Sequence, residues 1–192
     1  MVGASVNVLT ARASLTYRAW RALTAPGESF REENHAGLTE PRLVAIAFGT
    51  SLFLTLGRVL AETIRPELAL GDDRTAWFAA TILIGFSFGV LALYAFAAVI
   101  RLICRLFRGA GSWAETRLAL FWSGAAAGPL ITLGHGLGAA VDGRSLGALI
   151  GGAVWVIWFA PMLAAAHGFA PWKVGAVLAA ACAAFLAAPN LG

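Results

Sequence analysis

The sequence predicts an all-α polytopic membrane protein: five transmembrane helices in one bundle, preceded by a short N-terminal amphipathic helix. Hydrophobic residues make up 59% of the 192 residues and charged residues only 12%, about half the roughly 25% charge of a soluble domain. Mean hydropathy is +0.78. The apolar residues also arrive in blocks of about 20, the number that crosses roughly 30 Å of hydrocarbon at 1.5 Å per residue.

Residues 1–41 read as a cytosolic segment and residues 42–192 as the membrane domain. The segment holds no continuous apolar core of the kind a secretory signal needs. Leu9, Ala13, Thr16, Trp20 and Leu23 recur at helical spacing while Arg12, Arg18 and Arg21 take other positions, the pattern of an amphipathic helix lying among anionic headgroups. "APGESFREENHAGLTEP" then reads as an irregular polar linker, in which Glu32, Glu33, His35 and Glu40 have no fixed metal-ligand spacing and form a solvated charge run.

Five spans follow: Leu43 to Leu60, Ala76 to Ile100, Leu118 to Val141, Leu146 to His167 and Pro171 to Ala188. The first ends on Arg58 and Glu62, one helical turn apart, where an ion pair can snorkel to the interface. Lys and Arg in short loops stay on the cytoplasmic side. Of the 14 basic residues, ten (Arg12, Arg18, Arg21, Arg31, Arg42, Arg101, Arg105, Arg108, Arg117 and Lys173) fall on one side and four (Arg58, Arg65, Arg74 and Arg144) on the other. This places the N-terminus in the cytoplasm and the C-terminus in the periplasm of a cell inner membrane. Trp20, Trp77, Trp113 and Trp172 lie near span ends as interfacial anchors, and Trp122, Trp155 and Trp158 lie within spans.

Small residues four apart recur at Gly85 and Gly89, Gly124 and Gly128, Gly134 and Gly138, and Gly147 and Gly151. In lipid there is little hydrophobic force between helices, so glycines at this spacing serve close backbone approach and packing. Pro129 and Pro161 each remove a backbone donor and predict kinks in the third and fourth spans.

The reactive side chains are too dispersed for catalysis. His135 lies seventeen residues past Leu118, roughly 25 Å along its helix, whereas His167 closes a span that returns to the inner face. The two imidazoles therefore occupy opposite leaflets and cannot share a haem or metal. Cys104 at the inner interface and Cys182 roughly 16 Å deep cannot pair. Apart from His135 no ionisable group lies at depth, where proton relays and intramembrane enzymes require one. Asp72, Asp73 and Asp142 fall in loops. No enzyme activity, cofactor, metal or nucleic-acid partner is expected.

One segment, "RLFRGAGSWAETRLALFWSGAAAGPL", combines a basic inner loop, a Gly-x-Gly break and Arg-x-Ala-Leu-x-Trp opening a span that reaches a proline. With five spans, a cytosolic N-terminus and a short outer tail, it resembles the bacterial branch of the Yip family, the Ypt/Rab-GTPase-interacting proteins. The residues that carry the resemblance are Gly109, Gly111, Arg117, Ala119, Leu120, Trp122 and Pro129. It implies an integral membrane protein without enzymatic activity, whose eukaryotic relatives act in vesicle trafficking. Those relatives carry an Asp-Leu-Tyr motif in a longer cytosolic domain, whereas the tyrosines here, Tyr17 and Tyr94, stand in other contexts. One lysine against thirteen arginines points to a high-GC bacterial source. The expected role is a membrane scaffold or accessory subunit of a larger membrane complex. Arg101, Arg105, Arg108 and Arg117 would meet anionic headgroups, and a membrane protein would be the partner. The alternative is a small-solute channel or carrier lined by Ser123, Thr132 and His135 of the third span.

Overall fold

The structure is a computed structural model and describes residues 14–65, 74–141 and 144–178. Among these residues every regular element is a helix: α1 (Leu15–Thr24), α2 (Pro26–His35), α3 (Glu40–Ile64), α4 (Arg74–Leu106), α5 (Trp113–Val141) and α6 (Arg144–His167), with residues 171–178 helical as well. Helices α3, α4 and α5 and the Leu149–His167 part of α6 are long and apolar enough to cross a bilayer. The expected fifth span is helical over 171–178, and its remainder, with Cys182, lies outside the described residues, as do Leu9, Arg12, Ala13, Asp72, Asp73 and Asp142.

The helices overrun the apolar windows that announce them, because hydropathy measures the hydrocarbon slab and hydrogen bonding continues past it. Arg101 and Arg105, expected in a loop, therefore sit in the last turns of α4. That helix stops where Arg108 enters the left-handed region at φ 61° and the Gly109 N–H donates to the Cys104 carbonyl at 2.8 Å. Left-handed Gly168, at φ 73°, closes α6 in the same manner, with Phe169 N–H on the Ala164 carbonyl at 3.0 Å. A reciprocal capping box opens α5: Ser112 N–H donates to Glu115 Oε2 at 2.7 Å and Glu115 N–H to Ser112 Oγ at 3.2 Å.

Helix α5 packs between α3 and α6 and is buried without interruption from Thr116 to Gly124. The α3–α5 seam is sewn by hydroxyls. Thr50 donates to the Phe121 carbonyl at 2.6 Å and Thr132 to the Phe53 carbonyl at 3.1 Å. Glycines set the spacing of these helices. A Cβ at Gly124 would run into Thr50, one at Gly128 into Phe53, and one at Gly134 would lie 3.0 Å from Ile150. Across the α5–α6 seam, Gly147 lies against the His135 backbone and Gly151 against its ring. Gly85 and Gly89 of α4 face Thr55 and Ser51 of α3, and Ser51 donates to the Gly85 carbonyl at 2.8 Å. Gly138 is buried on α5. Pro129 and Pro161 lie inside unbroken α5 and α6.

One reading of the N-terminal segment is corrected. The stretch expected to be an irregular linker contains α2, which starts on Pro26 at the first helical position and buries Ser29, Phe30 and Glu33 on one face. Helix α1, expected as an amphipathic helix, has a tertiary partner on its inner side. It folds back on α2 as a hairpin that packs on α5 and α6, with Ala22 fully buried. Ser14 caps α1 by accepting from Tyr17 N–H, and Leu15, Tyr17 and Trp20 remain exposed on its outer side.

Candidate functional site

Polar chemistry concentrates at one end of the bundle, where the α1–α2 hairpin meets the starts of α3 and α5 and the end of α6. Glu33 is buried in the hairpin and takes two arginines. Arg18 reaches it through Nε at 2.6 Å, and Arg42 at the start of α3 closes on the same carboxylate. The Glu33 carboxylate pushes the Arg18 guanidinium further up in pKa, against the opposing pull of partial burial. Arg21 pairs with Glu32 at 2.8 Å and Glu28 at 2.9 Å. The expected solvated charge run is thus largely an ion-pair network, and no group of three or more metal-ligating side chains occurs among the described residues.

The hairpin is also bolted to the span interior through two indoles. Trp122 Nε1 donates to Ser29 Oγ at 2.9 Å, and Trp158 Nε1 to the Leu23 carbonyl at 3.0 Å. Arg18 lies over the Trp122 ring, 5.6 Å from its centroid. Because Glu33 is 5% exposed and its arginine partners about a quarter exposed, removing the charge leaves two cations half buried and unanswered. Glu33→Gln is expected to weaken hairpin docking by about 1–3 kcal/mol, below the fully buried case because of that exposure. In limited trypsin digestion, cleavage at Arg18 and Arg21 should rise about tenfold or more. An unchanged digestion pattern would show that the carboxylate does not hold the hairpin.

Next to this network lies an aromatic and arginine stack. Arg117, expected at the headgroups, is 6% exposed; it pairs with Glu40 and lies 4.9 Å from the Trp113 centroid and 5.3 Å from that of Tyr94. Tyr94 donates to the same Glu40 at 3.0 Å. Arg101 approaches Trp113 from α4 at 6.0 Å. The Nε atoms of Arg101 and Arg117 are buried without a hydrogen-bond partner, so ring faces supply part of what hydration would. Arg105 and Arg108 are exposed.

His167 is buried in the cluster, 2% exposed. Its Nδ1 accepts from Gly111 N–H at 3.2 Å, and its carbonyl accepts from Ala110 N–H at 3.2 Å. Thr116 donates its hydroxyl to the Ser112 carbonyl at 2.9 Å, so the His167 Nε2 contact with Thr116 at 3.0 Å has the ring donating. The network assigns a neutral ring with its proton on Nε2. Gly109 and Gly111 are what allow this approach. A Cβ at either would lie 2.7 Å from the His167 Nδ1 or the Ala166 carbonyl, respectively. Asn34 of α2 donates to Glu115 at 3.1 Å and ties the hairpin to the same cap.

The structure thus gathers Gly109, Gly111, Arg117 and Trp122 at one end, while Pro129 lies further along α5. Sequence reasoning missed His167, Glu33, Ser29, Glu40 and Thr116 as members. Their one local signal was the Ser112-x-x-Glu115 capping box. His135 sits about 28 Å further along α5 than Thr116, its Nδ1 donating to the Ile131 carbonyl at 2.9 Å. Ser123 is fully buried, donating to the Leu120 carbonyl and accepting from Trp155 Nε1 at 3.0 Å. The three hydroxyl and imidazole groups of α5 do not line the cavity of about 420 Å³ between α3 and α4.

No curated protein and no solved structure matches the chain. The Yip1 domain matches over residues 20–189, from within α1 to beyond the last described helix. The break and span residues gathered around His167 and Trp122 fall inside that match, and the chain belongs to the Yip1 domain family.

Proposed function

We propose that the chain is a non-enzymatic scaffold or accessory subunit of a larger membrane complex, of the bacterial branch of its family, seated in the inner membrane with its N-terminus cytoplasmic and its C-terminus periplasmic. Residues 1–41 then form the cytosolic segment and residues 42–192 the membrane domain. The observation that carries this reading is α4. Only 17% of its most apolar window is buried, against 50% in α5, and Leu91, Phe96, Val99 and Leu102 are all exposed on it. Among the described residues this long apolar helix is packed along one side, and its other side offers a second helix a place to lie. The internal satisfaction of Ser123, Thr132 and His135 supports a packing role for α5 over a solute path. Arg105 and Arg108, exposed beside Arg101, suit anionic headgroups.

Affinity purification in mild detergent tests the proposal. A stoichiometric membrane-protein partner is expected, and its recovery should fall when Phe96 and Val99 are replaced by alanine. A lone monomer, or a symmetric oligomer with measurable solute flux in liposomes, would defeat it.

A further inference from the structure

Toward the end of the bundle away from α1 and α2, helices α3 and α4 meet through a Phe48–Phe86 ring contact at 5.1 Å and a row of small residues beside it. Ser51 and Thr55 face Gly89 and Gly85, where even a Cβ on either glycine would collide with the hydroxyl side chain. Small residues on both helices leave a trough beside the seam, a cavity of about 420 Å³ lined by Thr55, Arg58, Trp77, Ile84, Gly85 and Gly89 among others. That is the size of a small-ligand pocket. Its polarity is graded. Arg58, the one charged side chain in the lining, is exposed at the mouth beside Trp77 in the first turn of α4, and the remainder is hydroxyl, alanine, glycine and aliphatic. From Trp77 to Gly89 the trough runs twelve residues of α4, about 18 Å. One leaflet of a bilayer is about 15 Å of hydrocarbon, half of the roughly 30 Å core.

We infer that this trough binds a single glycerophospholipid, its phosphate on Arg58 and one acyl chain along the lining of Thr55, Ala80, Thr81 and Ile84 beside the Gly85 and Gly89 seam. Length, charge and polarity each match that occupant. The trough is one leaflet deep. Its cation sits where a phosphate lies, with an indole at the headgroup level as interfacial Trp prefers. Apart from Arg58 and Trp77 at the mouth, and Leu54 and Ile84, the side chains along the trough are short: Ser51, Thr55, Ala80 and Thr81. A partner helix is a poorer match, since it would carry an apolar face past an exposed guanidinium. The site is separate from the exposed α4 face proposed for a partner, which lies toward the other end of that helix.

Native mass spectrometry of the full chain, released from nanodiscs of mixed phosphatidylglycerol and phosphatidylcholine, tests the inference. The wild type should retain one phospholipid. Arg58→Gln should weaken retention about fivefold, the worth of one guanidinium near a membrane surface, and Arg58→Lys should largely restore it. Ala80→Phe, which fills the trough from an exposed position on α4, should abolish retention of both lipids without lowering the melting temperature. A photo-crosslinking residue in place of Ile84 should form lipid adducts. Release of the wild type with no lipid, equal retention by Arg58→Gln and Ala80→Phe, or adducts to a second copy or to residues 179–192 would overturn it.

Discussion

Gly147→Ala is expected to destabilise the bundle by about 1–3 kcal/mol, whereas Gly152→Ala in the same helix should stabilise it by about 0.5–1 kcal/mol. The two glycines share a helix, a lipid environment and a gain in backbone rigidity. They differ in what the new methyl meets. At Gly147 it would lie 2.6 Å from the His135 carbonyl oxygen and 3.2 Å from its Cα. Both are backbone atoms of α5, so no rotamer change relieves the overlap and the two helices must move apart. At Gly152 nothing lies within 4 Å. Since helix association in lipid depends on close contact and not on an apolar driving force, that separation is felt along the whole seam. Unfolding by sodium dodecyl sulfate in mixed micelles reads both variants. Gly147→Leu should exceed the alanine effect, and equal midpoints for Gly147→Ala and Gly152→Ala would show that the seam is looser than its geometry.

The same contrast explains how much of this protein its sequence discloses. Apolar blocks announce α3, α4, α5 and α6 because a bilayer imposes one length on every span, and the helix is the fold that satisfies its own backbone there. The paired glycines are legible for the same reason: Gly124 and Gly128 sit on one face whatever the partner is, though only the structure identifies it as Thr50 and Phe53. The hairpin obeys other rules. In α2 the face that packs is Ser29, Phe30 and Glu33, a single large apolar residue between polar ones, so no periodic stripe distinguishes it from a linker. Its partners, Arg18, Arg42 and Trp122, lie 15, 9 and 93 positions away. Arg117 is expected at the headgroups because a basic residue at a span mouth reads as a topology signal. Burial against Glu40, Tyr94 and Trp113 is a tertiary fact.

His167→Leu is expected to cost about 2–4 kcal/mol, although leucine keeps the volume and suits the surrounding apolar residues. The loss comes from the groups left behind. Gly111 N–H would be a buried donor without its acceptor, and Thr116 would lose the proton it takes from Nε2; each orphaned group costs about 1–3 kcal/mol. The conservative variants separate the two contributions. Asparagine places a carbonyl oxygen near the Nδ1 position and should recover the Gly111 bond. Glutamine places an amide nitrogen near Nε2 and should recover the Thr116 bond. Both should fall between leucine and wild type in thermal unfolding. The ring should also report its own state: two-bond ¹H–¹⁵N spectra are expected to show Nε2 protonated and Nδ1 bare, because Gly111 donates to one side while Thr116 spends its hydroxyl on Ser112. A protonated Nδ1, or a leucine variant as stable as wild type, would mean that the Gly109 and Gly111 break is not held by this histidine. The consequence reaches past stability. That break sets the start of α5 and with it Trp113, against which Arg101 and Arg117 both stack, so loosening His167 should also expose the arginine cluster to the hairpin's side of the membrane.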